Sequence, residues 1–427
     1  VKTVPDSVAL DRHEVASERA DGASRVGSDH RPIRVCFPFV GDDLGGSHVS
    51  AAKLVANLDR SCVKPVVVLQ HADGPVAAFL KREGLDYVHL SLPELLSATA
   101  PMTAMRGYVL QTLPRIRRFL RDGRFDIVHT NDGRTHVNWG LAARLAGTKL
   151  VWHHRGDPDA WGANHLAPVL AHQMATVSRF SRPSRPVLPL KDRLHVVHSP
   201  FDHPPVVPDR EAAKAALLLE LGLPQQTRIL GYFGGLIERK RPLLFVDVIH
   251  RFRERHPDIP VVGCLFGVCA PDGRHVEDEI RDRAARLGIG EAIRLMGYRT
   301  PVEPFMAATD VLLVTAMGEP FGRTLIEAMF LRTPVVATDH GGNREAIRDG
   351  ANGYLVEPEN ADAFVEPVAA LLRDPGTAER ITGAAREEAL RRYGTAGHVD
   401  QIMTLYGRAL RRADLSAAER RAAGRPT

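Results

Sequence analysis

Two carboxylates, Glu319 and Glu327, flank a short turn in the run Gly318-Glu319-Pro320-Phe321-Gly322-Arg323-Thr324-Leu325-Ile326-Glu327-Ala328-Met329. A carboxylate accepts two hydrogen bonds side by side, which suits vicinal hydroxyls such as those of a ribose or a hexose. The run follows the strand-like DVLLVT of 310–315, and open α/β sheets bind ligands outside the carboxyl ends of their strands. Pro320 and Gly322 keep the turn out of helix. The apolar residues Leu325, Ile326, Ala328 and Met329 then start a helix that must end before Pro334. Its first N–H groups, near Gly322 to Leu325, have no partner within the helix and are placed to bind an anion such as a diphosphate. Residue types alone leave a plainer reading open, in which Glu319 is a helix-initial cap and Glu327 a surface residue.

Other groups are weaker when taken singly. Arg239, Lys240 and Arg241 form a basic turn that alone reads as solvated. Gly45 and Gly46 close the turn Gly41-Asp42-Asp43-Leu44-Gly45-Gly46; without a Cβ, such residues let backbone amides come close to phosphate. His153, His154 and Arg155 end the strand KLVWHH and its exit, where a lone histidine reads first as a satisfied core or surface residue. Asp157-Pro158-Asp159 imitates a metal-binding D-x-D, but lies in a loop after a strand and is read as incidental. The cysteines are scattered, with one close pair, Cys264 and Cys269. No zinc site is expected from them, and the thiols are read as reduced.

These groups hang on a repeated rhythm of short β-rich runs and helices. Strands are predicted at IRVCFPFV from Ile33, PVVVLQ (65–70), YVHL (87–90), FDIVHT (125–130) and KLVWHH (149–154). The segment 202–226, with four prolines and no strand, reads as a connection. The rhythm then restarts at RILGYFG (228–234) and continues through VVGCLFG (261–267), IRLMG (293–297), DVLLVT and PVVATD (334–339). Such alternation predicts α/β architecture, with two doubly wound, Rossmann-like domains of parallel strands and no sequence repeat between them. The expected boundaries are a disordered leader over 1–31, an N-terminal domain over 32–203, the connection over 204–226 and a C-terminal domain over 227–395. A helix follows over 396–412, open to crossing back to the N-domain, and then a frayed tail over 413–427.

Bulk properties remove several function classes. A chain of 427 residues suits two domains. No run is apolar enough to span a bilayer, and the first thirty residues lack a secretory h-region. A net charge of +5 is small for this length, so nucleic acid is not expected as a partner. No G-x-G-x-x-G follows a predicted strand and no G-x-x-x-x-G-K-[ST] occurs, which weighs against a nicotinamide oxidoreductase and a P-loop NTPase. Arg115, Arg117, Arg118, Arg121 and Arg124 share a stretch with Leu113, Ile116, Phe119 and Leu120. That basic helix, within 110–124, is the candidate for peripheral contact with an anionic membrane, against the plainer reading of a surface helix packed inward.

The block GEPFGRTLIEAM, followed by TPVVATDHGGNREAI and GANGYLVEPENADAF, resembles the E-x7-E region of the retaining family-four glycosyltransferases, which have the GT-B fold of two Rossmann-like domains facing a central cleft. The resemblance runs from Gly231 to about Pro375; the N-terminal half is similar more loosely, through Gly45-Gly46, VWHHRGD, ATVSRFS and VVHSPFD. It implies that Glu327 holds the donor ribose and that Glu319 lies against the donor sugar, near the transferred carbon. The backbone of Phe321, Gly322, Thr324 and Leu325 would line sugar and diphosphate, and that of Tyr298 and Arg299 the base. The family's G-R-L-x-x-x-K falls on Gly234 to Lys240, which makes Lys240 the diphosphate's lysine. The usual arginine is Gly235 here, and Arg239 is its candidate substitute. His153 and Arg155 resemble the family's W-H-x-R segment facing the donor sugar.

The resemblance thus implies a metal-independent hexosyltransferase without a cofactor, using a nucleoside-diphosphate sugar with UDP or GDP as the expected bases. Glu319, His153 and Lys240 are the expected catalytic residues. The acceptor is expected to be a cell-surface glycan or lipid-linked molecule, with a soluble small molecule as the alternative and an inactive sugar-nucleotide-binding scaffold as another. The expected setting is bacterial, in the cytoplasm or at the inner membrane face.

Overall fold

The computed structural model describes residues 2–3, 31–93, 95–97, 102–202, 207–269 and 275–412. The leader expected over 1–31 falls almost entirely outside them, and the tail over 413–427 wholly. The described chain forms two compact units. One draws on Val1–Val177, Ser181–Pro200 and Thr395–Thr427, the other on Ser178–Phe180 and Phe201–Gly394.

The first unit is built on strands β1 (Lys2–Thr3), β2 (Ile33–Phe39), β3 (Val63–Leu69), β4 (Tyr87–His89), β5 (Ile127–Thr130), β6 (Lys149–His154), β7 (Gln173–Thr176) and β8 (Leu194–Val196). They form one sheet, ordered β1-β4-β3-β2-β5-β6-β7-β8, with every pairing parallel. Side chains alternate across a strand, so Val35, Phe37 and Phe39 enter one core with Leu54 and Leu80, while Cys36 enters the other with Val128, Leu150 and Trp152. A sheet covered on both faces explains why these strands read as nearly continuous apolar runs. The helix Thr395–Leu410 returns to this unit, sending Ile402, Met403 and Tyr406 into the first of those cores.

The second unit holds β9 (Arg228–Phe233), β10 (Val261–Phe266), β11 (Ile293–Gly297), β12 (Val311–Val314), β13 (Val335–Thr338) and β14 (Tyr354–Val356), ordered β11-β10-β9-β12-β13-β14 and all parallel. Leu230, Tyr232, Leu265 and Leu313 pack against Phe245, Ile249 and Phe252 of the helix Pro242–Arg255 and against Phe364 and Val368 of Asp362–Arg373.

Two expected boundaries are corrected. The stretch 204–226 is not only a connection: its helix Arg210–Glu220 belongs to the second unit, with Leu217 and Leu218 buried and Lys214 Nζ donating to Asp310 at 2.7 Å. Ser178–Phe180 groups with the second unit too, because the Phe180 amide donates to Glu345 and its ring packs on His340.

The basic helix is also revised. Helical structure runs from Met102 to Asp122, with a wider π turn at Tyr108–Thr112. The apolar side of its last part, Leu113, Ile116, Phe119 and Leu120, is buried in the core. Exposed apolar residues lie earlier, at Met102, Met105, Val109 and Leu110. Among the described residues no helix is long and apolar enough to cross a membrane.

Candidate functional site

In the second sheet the strand order reverses between β9 and β12, the switch point at which such sheets bind ligands. The loops leaving these two strands carry Lys240 and Glu319. Thr315 donates its hydroxyl to the carbonyls of Lys240 and Arg241, and the Met317 amide donates to the Arg239 carbonyl, so the two loops are tied together. Gly234 has φ +139°, and a Cβ there would sit 2.9 Å from Lys240 Nζ. The lysine therefore lies across a residue that must be glycine. Gly341 and Gly342 serve the opposite side: Cβ atoms on them would meet the Glu319 carbonyl at 2.6 Å and the Pro320 carbonyl at 2.5 Å.

The result is a buried carboxylate between two cations. Glu319 Oε2 accepts from Arg239 Nη1 at 2.9 Å and lies 3.4 Å from Lys240 Nζ. Burial pushes the Glu319 carboxyl up, but Lys240 and Arg239 outweigh it and hold the group below its ordinary value. Glu319 is thus an ionised acceptor. Arg239 points into the site, whereas Arg241 turns away to Glu359. One negative charge against two positive ones leaves a cationic surplus.

The other residues of this unit divide. Gly322, at φ +75°, starts the helix Arg323–Phe330, whose first amides have no side-chain cap. Phe321 and Leu325 are buried, the former in an aromatic group with Phe201 and Tyr393, so only their backbones are available to a ligand. Thr324 is half-buried on the first turn. Glu327 is half-buried and accepts from Arg323 Nη2 at 3.1 Å, a pairing the spacing of four residues creates. Tyr298 is exposed, while Arg299 is drawn to Glu220 and the Met296 carbonyl. Sequence reasoning gave no role to His340, which accepts the Gly318 amide, or to Asn343, whose fully buried Oδ1 has no partner and lies beside Gly322. The signal was the GGN triplet after β13, legible only once its glycines are seen to seat Glu319 and Pro320.

In the first unit the reversal lies between β2 and β5. Gly45 caps the helix Gly46–Asn57, but its amide is taken by His48 Nδ1 at 3.0 Å. Arg134 pairs bidentately with Asp42, and Asp43 and Asp132 add negative charge around it. Carboxylates outnumber the cation around the turn that carries Gly45 and Gly46. His153 is fully buried, stacked between His129 at 5.4 Å and His398 at 5.9 Å. Burial, with the Arg155 charge, drives it well below the ordinary histidine range. Arg155 is half-buried and donates to Ser199, Asn131 and His153. His154 points to the other face, bonded to the Asp157 carbonyl. Among the described residues no group of three or more His, Cys, Asp or Glu could hold a metal ion.

Comparison with known proteins agrees with this architecture. Residues 216–388 match the family model for glycosyl transferases group 1, and residues 45–220 that for the glycosyl transferase 4-like domain. The chain is 29% identical over 236 residues to a D-inositol 3-phosphate glycosyltransferase of Corynebacterium urealyticum, covering 55% of each. It is 29% identical over 227 residues to an alpha-maltose-1-phosphate synthase of Mycobacterium tuberculosis, covering 50% of this chain and 56% of the relative. The chain spans about half the length of the curated relatives it matches. Anabaena Alr3699/HepE, solved in complex with UDP-glucose, superposes with a TM-score of 0.73 at 20% identity, over 87% of this chain and 98% of that one. With a match to a glycosyl transferase 4-like domain in its first half, a match to a group 1 domain in its second and a parallel Rossmann-like sheet in each, the chain has the two domains of a glycosyltransferase of GT-B fold.

Proposed function

We propose that the chain is a retaining hexosyltransferase that moves a sugar from a nucleoside-diphosphate sugar to an acceptor hydroxyl without a metal. The observation that carries this reading is the Glu319 carboxylate held by Arg239 and Lys240 at the switch point of the second sheet. Departure of the nucleoside diphosphate builds negative charge, and preorganised cations with uncapped helix amides stabilise it where it develops. Arg239 supplies the charge missing at Gly235. An ionised, doubly paired Glu319 is unsuited to donating a proton and poor as a nucleophile, but well suited to accepting sugar hydroxyls. In a front-face transfer the departing phosphate oxygen takes the acceptor's proton, so no protein base is needed. Glu327 holds the ribose and has to exchange Arg323 for ribose hydroxyls.

UDP is the first base to test, since HepE is titled as a complex with UDP-glucose. A cell-surface or lipid-linked acceptor remains the first reading. The exposed Met102, Met105, Val109 and Leu110, continuous with the arginines of 106–121, offer an anionic bilayer both an apolar and a cationic contact. The names of the curated relatives support a phosphorylated small-molecule acceptor as the second reading.

The experiment is a thermal-shift screen with UDP, GDP, ADP and dTDP and their sugar conjugates, with NAD as control. One diphosphate raises the melting temperature, and turnover with its sugar conjugate survives a chelator. A shift with NAD alone, or turnover abolished by the chelator, overturns the reading. Anionic against neutral vesicles, with lipid-linked and inositol phosphate acceptors, separate the two acceptor classes.

A further inference from the structure

A chain of buried polar groups crosses the first unit from its C-terminal helix to the exit of β6. Arg155 Nη2 lies 3.2 Å from His153 Nδ1. A guanidinium only donates, so His153 Nδ1 carries no proton, and a neutral ring must then hold its proton on Nε2. His129 Nε2 lies 3.3 Å from the same His153 Nδ1. Two facing ring nitrogens bond only if one donates, so His129 donates from Nε2. Its own Nδ1 is then bare and accepts the Tyr406 hydroxyl at 2.7 Å. Each direction follows from the one before it.

We propose that Tyr406 is a positioning residue for the transfer reaction: through His129 it holds His153 with the proton on Nε2, so that Nδ1 receives the Arg155 guanidinium. The inference rests on the proposed function for its catalytic consequence, though not for the tautomers themselves. In the opposite arrangement, with a proton on His153 Nδ1, a donor would face the guanidinium and Arg155 would lose one of its acceptors. Arg155, which can only donate, sets the direction, and Tyr406 completes it by donating its hydroxyl to the bare His129 Nδ1.

The surroundings are consistent with neutral rings throughout. Burial drives His129 and His153 well below the ordinary histidine range, and burial pushes the Tyr406 phenol up, so its proton stays. His129, His153 and His398 stack in sequence at 5.4 and 5.9 Å, and Phe37 packs at a tilt on His129 at 5.1 Å, which restrains the ring planes. His398 is held separately by the His198 carbonyl. The Val197 backbone favours a proton on the His153 ring, and Nε2 makes no hydrogen bond of ordinary geometry. At the exit of β6 the half-buried Arg155 guanidinium is therefore the group that would meet an oxygen-rich or anionic ligand, with His153 fully buried behind it.

The test begins with long-range proton–nitrogen NMR of the histidine-labelled full chain near pH 7.5, with the rings assigned from His129→Gln and His153→Gln. The expected result is a protonated Nε2 and a bare Nδ1 on both rings. A protonated Nδ1 on either ring overturns the proposal. In Tyr406→Phe, the expected result is a mixed His129 tautomer and kcat lowered roughly fivefold, the worth of one ordinary buried hydrogen bond, with the melting temperature nearly kept. Unchanged tautomers together with unchanged kcat overturn the positioning role. If the wild-type chain shows these tautomers but no sugar transfer, the function reading fails and the hydrogen-bond chain stands.

Discussion

In the first sheet the strand order reverses between β2 and β5, and in the second between β9 and β12. The backbone at the two reversals is nearly the same. Gly41 after β2 and Gly234 after β9 have φ +104° and +139°. In each unit a second glycine comes so close that its Cβ would stand 2.0 Å from that first glycine's carbonyl: Gly74 on Gly41, Gly267 on Gly234. The charges are opposed. Three carboxylates, Asp42, Asp43 and Asp132, surround Arg134 in the first unit. In the second, Arg239 and Lys240 hold the single, buried Glu319. One backbone solution therefore supports two sites of opposite electrostatic character, and a handful of loop side chains makes the difference. The units differ equally at their buried polar groups: the first keeps neutral histidines and the second an ionised carboxylate.

The largest expected effect breaks or confirms that last contrast by acid. His129, His136, His153 and His398 all have folded values below the ordinary 6.5, His398 at about 3. A depressed folded value means that the unfolded chain binds more protons below pH 6.5. The stabilisation is complete above 6.5 and falls as pH drops through the folded values, at ~1.4 kcal/mol per pH unit for each histidine. Four acting together give at most ~5.6 kcal/mol per unit. Glu319, lowered from 4.5, keeps its contribution until pH falls below 4.5. All three tryptophans, Trp139, Trp152 and Trp161, lie in the first unit, so their fluorescence reports it alone. At pH 5.5 the tryptophan transition in urea should shift to markedly lower concentration than at pH 7.5, with part of the far-UV circular dichroism change left behind. Transitions that coincide and move only below pH 4.5 would refute the contrast.

Next in size is the loss of a cation at the second reversal. Lys240→Ala should weaken diphosphate binding by ~2 kcal/mol, about thirtyfold, as expected for a charge-assisted hydrogen bond. Nucleoside affinity should not change. Isothermal titration with UDP and uridine checks this, and an equal loss for both ligands would contradict a diphosphate role. Glu327→Ala should cost about fivefold for both, the worth of one or two neutral hydrogen bonds less the Arg323 pairing that ribose displaces. If UDP affinity survives intact, the ribose lies elsewhere.

Much of this comparison was legible in the sequence, and the part that was not has physical causes. Strands β2, β6, β9, β10 and β12 stand out because buried parallel strands are nearly continuous apolar runs. Strands β7, β8 and β14 do not: QMAT is short and LHV and YLV are shorter, with neighbours that carry no periodicity. Glu319 and Lys240 were legible as types, and the strand ends put them near one crevice. That Arg239 joins them was not, because a turn's side-chain directions depend on φ values such as the +52° of Arg241. The histidine chain was illegible in principle, since Tyr406 lies 277 residues from His129 and meets it only when the last helix returns to the first sheet. The basic helix packs its apolar row Leu113, Ile116, Phe119 and Leu120 inward, the plainer of its two readings, while the exposed apolar residues Met102, Met105, Val109 and Leu110 before it were not singled out from the sequence.

The smallest expected effect tests whether the first reversal is indifferent to phosphate. Asp42 and Arg134 are each nearly half exposed, and an ion pair of that exposure contributes ~0–1 kcal/mol to stability even when bidentate. Asp42→Ala should therefore move the melting temperature little. It also releases the Arg134 guanidinium and removes one of three carboxylates, which makes the crevice less negative. If the diphosphate is bound only by the second unit, UDP affinity in this variant stays within about twofold of wild type, the scale on which an exposed charge acts. A gain of tenfold would mean that phosphate also reaches the first reversal and is held off only by Asp42, and the division of labour between the two sheets would have to be redrawn around Gly45 and Gly46.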